Sequence, residues 1–304
     1  MFSSNFIIHK RNYHNFPSIH EINYISTDNL TEDNHLWNEI YRRQQPVVIR
    51  SLVSHWNAVS DPQKRWVDLK RLRDRVFASD HDQSLVVPVE IGDSYMDENL
   101  SKGLIKFHDL LDCYIATTKS CHDSVEDYIE PSSQHSITMP RIYLAQHDID
   151  EVSVLKDDIL IPRICSTGKG SMYRKNIWFG SPQGTVSPCH YDPFQNVLCQ
   201  VIGEKEVILF NPSLTSYLYP ALHTVQKNTS QVDISRPDLT KHPLYKEVLS
   251  LVNSNKGGVD LSDASYLSVG RTILYPGDAV FIPFKWWHYC KTSKLSCSIN
   301  FWWL

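Results

Sequence analysis

An all-β core with α elements, braced by helices near the N-terminus, is the architecture this sequence predicts, and three observations predict it. Residues from about 141 onward break into short β-rich runs separated by Pro and Gly, the texture of an antiparallel sandwich or barrel. Helical periodicity is concentrated in the first part of the chain. No repeat at solenoid periods and no apolar stretch of membrane-spanning length competes with that reading.

In the first part, Leu36, Trp37, Ile40 and Tyr41 share one face of a short helix after the capping side chains of Asp28–Thr31. PVVIR at 46–50 reads as a strand. Over 65–77, Trp66, Leu69, Leu72 and Val76 fall on one side of a helix, with Lys70, Arg71, Arg73 and Arg75 elsewhere on it. LVVPVEI at 85–91 is a second strand. Residues 104–116 set Phe107, Leu110, Leu111, Tyr114 and Ile115 at helical spacing. The β-rich part then runs RIYLA (141–145), NIWFG (176–180), TVSPCHY (185–191), NVLCQVI (196–202) and EVILF (206–210). TILYP (272–276), AVFIP (279–283), WHYC (287–290) and SCSINFWW (296–303) close it. The interval 211–270 is mostly polar, with Asn255-Lys256-Gly257-Gly258 as a loop tip. We divide the chain into an N-terminal lead and first helix (1–40) and one catalytic unit (41–304), whose β core spans about 141–304.

Bulk properties exclude some functions. The 30 basic and 34 acidic side chains leave a net charge of −4, so no global basic field draws the protein to nucleic acid. Seven cysteines without a CxxC pair suggest reduced thiols in an intracellular protein, in nucleus or cytoplasm. Residues 1–20 carry Lys10 and Arg11 and no acid before Glu21, which is too Arg-poor for a mitochondrial presequence. No membrane association is expected.

The chemistry concentrates at Cys189-His190-Tyr191-Asp192-Pro193. In a strand, residues i and i+2 face the same way, so His190 and Asp192 can present an imidazole and a carboxylate together. A second histidine, His288, follows in another strand after the turn Tyr275-Pro276-Gly277-Asp278. Two imidazoles and one carboxylate on one side of a metal leave the opposite positions free, which suits non-haem Fe(II). A zinc hydrolase can use the same ligand types, so the residues alone leave the metal open. Asn196 and Lys205 lie downstream. A lysine inside a barrel is costly unless it meets an anion, and by periodicity alone Lys205 belongs to a solvated Gly203-Glu204-Lys205 turn.

The stretch from Asn176 to Pro212, with YPGDAVFIPFKWWHY and CSINFWW, resembles the JmjC (cupin-like) 2-oxoglutarate oxygenases, and within them the type of JmjC domain-containing protein five, also called lysine demethylase eight. VPVEIGDSYMDE (87–98), YLAQHDI (143–149) and NTSQVDISRPDLTKHP (228–243) extend the likeness over roughly 40–304. The last of these has no catalytic reason to be shared. The resemblance implies a double-stranded β-helix (jelly-roll), with Fe(II) as cofactor and 2-oxoglutarate and O₂ as cosubstrates. It implies His190, Asp192 and His288 as metal ligands and catalytic residues. Tyr143, Ser187, Asn196 and Lys205 would hold 2-oxoglutarate, Lys205 pairing with the distal carboxylate against the turn reading. Glu90, Gln146 and Trp178 would wall a substrate pocket, a carboxylate, an amide and an indole that suit a guanidinium.

The expected activity is therefore hydroxylation of a protein side chain, arginine first, on a protein or peptide such as a ribosomal or chromatin-associated one. Histone N-methyl-lysine demethylation is the alternative. Hydroxylation of a tRNA nucleoside is a third reading, resting on the basic helix at 64–75, and a catalytically dead binding module is a fourth. The segment 252–270 is longer than the family's usual connection. The chain ends straight after its last strand, which suggests a monomer.

Overall fold

A computed structural model describes residues 21–23, 34–92, 101–123, 141–221, 227–253 and 269–304. The lead at 1–20, the cap at 28–31 and residues 254–268 of the long connection lie outside the described residues. The strands are Glu21–Asn23 (β1), Val47–Arg50 (β2), Val86–Ile91 (β3), Ser101–Lys106 (β4), Ile142–Asp148 (β5), Met172–Gly180 (β6) and Val186–Tyr191 (β7). Gln195–Ile202 (β8), Lys205–Phe210 (β9), Val269–Leu274 (β10), Ala279–Ile282 (β11), Trp287–Lys291 (β12) and Ser296–Trp303 (β13) follow. The helices are Asn34–Arg43 (α1), Asn57–Ser60 (α2), Leu69–Ala78 (α3), Phe107–Asp123 (α4), Ser153–Lys156 (α5) and Tyr245–Asn253 (α6).

Two sheets face each other. The larger has the order β1-β2-β11-β8-β13-β6-β5-β3-β4 and the smaller β10-β9-β12-β7. From β6 to β13 the chain crosses repeatedly between them, the jelly-roll the sequence predicts. Period-2 alternation then sorts the side chains into three apolar regions. Outward residues of the large sheet, such as Ile177, Phe179, Cys199 and Ile299, pack with Trp37, Leu72 and Leu110 of the early helices. That is how those helices brace the barrel. Outward residues of the small sheet, among them Phe210 and Trp287, pack under Tyr245 and Val248 of α6. Between the sheets lies a smaller apolar plug containing Leu198, Val207, Leu209 and Ile282. The remainder of the interior is polar, and it holds the site.

Several expectations change on inspection. Leu36 is 40% exposed while Trp37 and Ile40 are buried, so the buried stripe of α1 is narrower than its apolar pattern. Residues 104–106 do not open a helix. They finish β4, which pairs with β3 along its length, and α4 starts at Phe107. Cross-strand pairing outcompetes helical periodicity there, because β3 offers an otherwise open edge. The basic side chains of α3 are largely engaged within the chain: Arg73 meets Asp112 at 3.1 Å and Arg75 meets buried Asp158 at 2.8 Å. A phosphate-binding face for tRNA thus finds no support in those two arginines. The cysteines described (113, 165, 189, 199, 290 and 297) are all free, and no described helix is long and apolar enough to cross a membrane.

One buried carboxylate ties the brace to the barrel. Asp82 is fully buried just before β3. It accepts bonds from Ser153 Oγ at 2.7 Å, the Ser153 and Val154 amides at 2.9 Å, and pairs with His81 Nδ1 at 2.8 Å. Burial pushes its pKa up, but the bonds from His81, Ser153 and Val154 outweigh burial and hold it below the usual carboxylate range. The folded pKa is therefore the depressed one, so the unfolded chain binds more protons at acid pH. The stability from Asp82 is full above about pH 4–5 and is lost as pH falls through the ordinary Asp value of about 3.9 and below. Asp82→Asn is expected to cost about 1–3 kcal/mol at neutral pH and to lessen the acid slope. Urea unfolding of both proteins from pH 3 to 7 tests this, and parallel curves would refute it.

Candidate active site

His190 lies in β7 and His288 in β12, directly opposite each other in the antiparallel ladder. Their rings are 4.2 Å apart. Asp192 stands one residue beyond the end of β7, a small departure from the shared-strand reading, yet its carboxylate faces both rings. Oδ2 is 3.5 Å from His288 Nε2, and Oδ1 is 4.0 Å from His190 Nε2. One ligand atom from each of the three lies within 4.8 Å of the others.

The tautomers follow from the far side of each ring. His190 Nδ1 is 2.8 Å from the Pro188 carbonyl and His288 Nδ1 is 3.1 Å from the Trp286 carbonyl. A carbonyl only accepts, so each Nδ1 carries a proton and each Nε2 is the atom turned toward Asp192. Burial, with His190 alongside, pushes His288 down to about 4, so this imidazole is neutral at physiological pH. Two imidazoles oriented by backbone carbonyls, with a carboxylate facing both, form a donor set that fits a divalent transition metal.

Lys205 corrects the turn reading. It is the first residue of β9 and is 5% exposed. Gly203, at φ 68°, makes the tight turn from β8, and a β-carbon there would collide with the Leu295 carbonyl. Lys205 alternates with Val207 and Leu209, so it points between the sheets. Burial lowers its pKa, and the ionisable groups opposing that shift are two thiols, Cys290 and Cys297. Among the described residues no carboxylate pairs with it. Tyr143, Ser187 and Asn196 line the same recess. Tyr143 Oη and Ser187 Oγ are 3.5 Å apart, and burial raises the Tyr143 pKa.

Outside this recess a cavity of about 510 Å³ opens over the triad, and Glu90, Gln146 and Trp178 all border it. Glu90 is half-buried, its pKa raised by burial and partly offset by Lys102 across the β3–β4 ladder. Gln146 is exposed and left-handed at φ 55°. It sits where the β5–β6 register slips between Leu144 and His147. Such a bulge lets both Tyr143 and Gln146 reach the cavity despite opposite parity. Trp178 tilts against Tyr143 with ring centroids 6.2 Å apart.

Three features went unread in the sequence. A register slip between His288 and Cys290 in the β12–β7 pairing lets Ser187 face inward with His190, although strict alternation opposes them. The stretch at 228–230 has a positional reason after all. Asn228 and Thr229 border the cavity, and this segment runs beside β7, with Ser230 N bonded to the Cys189 carbonyl at 2.7 Å. Asn300 also borders the recess. Its signal lay in SCSINFWW, where Ser296, Ser298 and Asn300 alternate with Cys297, Ile299 and Phe301.

With this geometry established, comparison with known proteins decides the family. The profile described as "Cupin-like domain" matches residues 33–304. The chain belongs to the cupin-like JmjC family. This cupin-like chain is 37% identical over 263 residues to Lysine-specific demethylase 8 of Danio rerio, covering 86% of this chain and 53% of that protein. It is 34% identical to Lysine-specific demethylase JMJ30 of Arabidopsis thaliana, over 87% of this chain and 51% of the relative. Jumonji C domain-containing protein 5 of Drosophila melanogaster is 32% identical, over 85% and 54%. The chain spans about half the length of these relatives.

Proposed function

We propose that the protein is an Fe(II)- and 2-oxoglutarate-dependent oxygenase that oxidises a cationic side chain of a protein substrate. The observation that carries this is the His190–Asp192–His288 donor set, flanked by a buried lysine that no carboxylate among the described residues pairs with and by an open cavity. When bound, the metal and 2-oxoglutarate supply O₂ activation, with the 2-oxo acid leaving as succinate and CO₂ while a C–H bond gains a hydroxyl.

His190, Asp192 and His288 would hold the iron on one face. Lys205 would neutralise the distal carboxylate of 2-oxoglutarate, with Tyr143, Ser187 and Asn196 lining its recess. The apolar plug behind Lys205 keeps bulk water from that charge pair, which strengthens it. Glu90 would draw a cationic side chain over the triad, and Trp178 offers it an aromatic face. The raised pKa of Glu90 falls again when such a cation arrives, so substrate charge and Glu90 ionisation reinforce each other.

Within this class N-methyl-lysine demethylation is the first reading, supported by the names of the Danio and Arabidopsis relatives. Hydroxylation of the N-methyl group gives a carbinolamine that releases formaldehyde. Arginine hydroxylation is the second, favoured by Glu90, whose two oxygens match a guanidinium fork that an ammonium lacks. Mass spectrometry of methyl-lysine and arginine peptides after incubation with enzyme, Fe(II) and 2-oxoglutarate separates them. Loss of a methyl group with formaldehyde supports the first; gain of one oxygen on arginine supports the second. In either case Glu90→Ala should slow peptide turnover at least tenfold, the worth of about 1.4 kcal/mol, and spare uncoupled 2-oxoglutarate decay. Unmodified peptides of both kinds would count against a cationic side-chain substrate.

A further inference from the structure

Three side chains outside the donor set form one hydrogen-bonded line that runs across the inner face of the large sheet to Asp192. Trp178 Nε1 in β6 donates to Asn300 Oδ1 in β13 at 2.7 Å. Asn300 Nδ2 donates to Asn196 Oδ1 in β8 at 3.0 Å. Asn196 Nδ2 donates to Asp192 Oδ2 at 3.3 Å. The strands β6, β13 and β8 are neighbours, and the line crosses them on a diagonal, since Trp178 lies opposite Ser298 and Asn196 opposite Trp302, to either side of Asn300. Asn196 and Asn300 are 3% and 1% exposed, so water does not compete for these bonds. Asn176 Nδ2 adds a second donor to Asn300 Oδ1 at 3.1 Å.

The direction of the line is forced from both ends. An indole N–H can only donate, so the atom of Asn300 facing Trp178 must be its carbonyl oxygen. That turns the Asn300 amide N–H toward Asn196, which must answer with its own oxygen. The Asn196 N–H is then delivered to Asp192 Oδ2, which accepts it. Flipping either amide would place two acceptors or two donors face to face in a buried setting, at a cost comparable to an unmade hydrogen bond each time. The donor-only indole and the accepting Asp192 oxygen therefore specify the same arrangement.

We infer that Asn300 and Trp178 are positioning residues for the metal site, holding the Asp192 carboxylate in ligand orientation through Asn196. Trp178 also borders the cavity, so the wall that meets substrate is bonded through two amides to a metal ligand. This rests on the proposed metal role of Asp192 and assigns a function to Asn300, which is not itself one of the three ligands. The bonds polarise in one sense, each strengthening the next.

The test reads metal affinity without turnover, by titrating Co(II) into the protein and following its visible absorption. Partners of metal ligands are worth about 10–100-fold in metal affinity. Asn300→Leu is expected to weaken Co(II) binding by about tenfold or more. Trp178→Phe keeps an aromatic wall but removes the N–H, and should weaken binding in the same direction by a smaller factor. Ser298→Ala is the control. Ser298 is equally buried on the same strand face, but its Oγ bonds Gln200 Oε1 at 2.7 Å, outside the line. A merely structural role would give Asn300→Leu and Ser298→Ala the same small effect. Equal effects, or unaltered Co(II) affinity in Trp178→Phe, overturn the inference. Should Asn300→Leu not fold, the partly buried Trp178 position decides alone. A wild-type protein that takes up no Co(II) would overturn the metal-site reading and this inference with it, whereas binding that no variant alters overturns the inference only.

Discussion

Asp192→Ala is expected to remove metal binding and reduce 2-oxoglutarate turnover to background while leaving the fold in place. Asp192 stands beyond the end of β7, and its backbone carbonyl, bonded to the Lys285 amide at 3.1 Å, survives the substitution. Two imidazoles remain, but the carboxylate that balances a divalent cation is gone. Differential scanning fluorimetry with Mn(II) measures the loss without any assay of turnover. A ligand at a hundred times its dissociation constant stabilises the folded state by about 2.7 kcal/mol, and the wild type should show a shift of that order. The variant should show none, with a melting temperature near that of the metal-free wild type. Equal stabilisation of both proteins by Mn(II) would mean that the metal binds elsewhere, and the cluster of His108, Asp109 and Asp112 would then be the place to look.

Alternation made most of the fold legible. The runs NVLCQVI, EVILF and SCSINFWW became β8, β9 and β13 with little change of boundary, because each carries enough apolar residues to be buried on its outward face. The same period exposed His190 with Asp192 but concealed Ser187 and Gln146. Those two reach the site through register slips, and a slip is a property of two strands that neither strand's sequence states. The start of the helix predicted at 104–116 failed for a related reason. The apolar pattern from Phe107 onward is helical, but Leu104 and Ile105 also satisfy strand alternation, and only the presence of β3 alongside selects between them. Lys205 shows where local reasoning runs out altogether. Its neighbours Gly203 and Glu204 read as a turn, and they form one. What the turn does not disclose is that the chain re-enters the barrel at the next residue.

That lysine yields the last expected result, in which two properties move in opposite directions. Lys205 is buried beside an apolar plug, and no carboxylate among the described residues offsets its charge. In the free protein such an ammonium is a liability: burial lowers its pKa, so its charged form is less favourable folded than unfolded. The unfolded chain then binds more protons between the depressed value and the ordinary lysine value, and stability rises with pH across that window. Lys205→Met keeps the length and apolar stem of the side chain and removes the charge. It should therefore leave the free protein as stable or more so, and flatten that alkaline rise. With 2-oxoglutarate the sign reverses. The distal carboxylate would enter the same recess with nothing to neutralise it, and truncating one partner of a buried charge pair costs about 2–5 kcal/mol. At about 1.4 kcal/mol per factor of ten, that is roughly thirtyfold to several thousandfold in the dissociation constant. Calorimetric titration of 2-oxoglutarate into the Mn(II) form of each protein gives this ratio, and urea unfolding of the free forms gives the stability difference. Metal affinity should be unchanged, since Lys205 is not among the residues that face the ion. A cosubstrate affinity equal to that of wild type would show that another cation receives the distal carboxylate. A large loss of stability in the free variant would show that the ammonium already has a partner, and the recess would have to be reinterpreted from that partner outward.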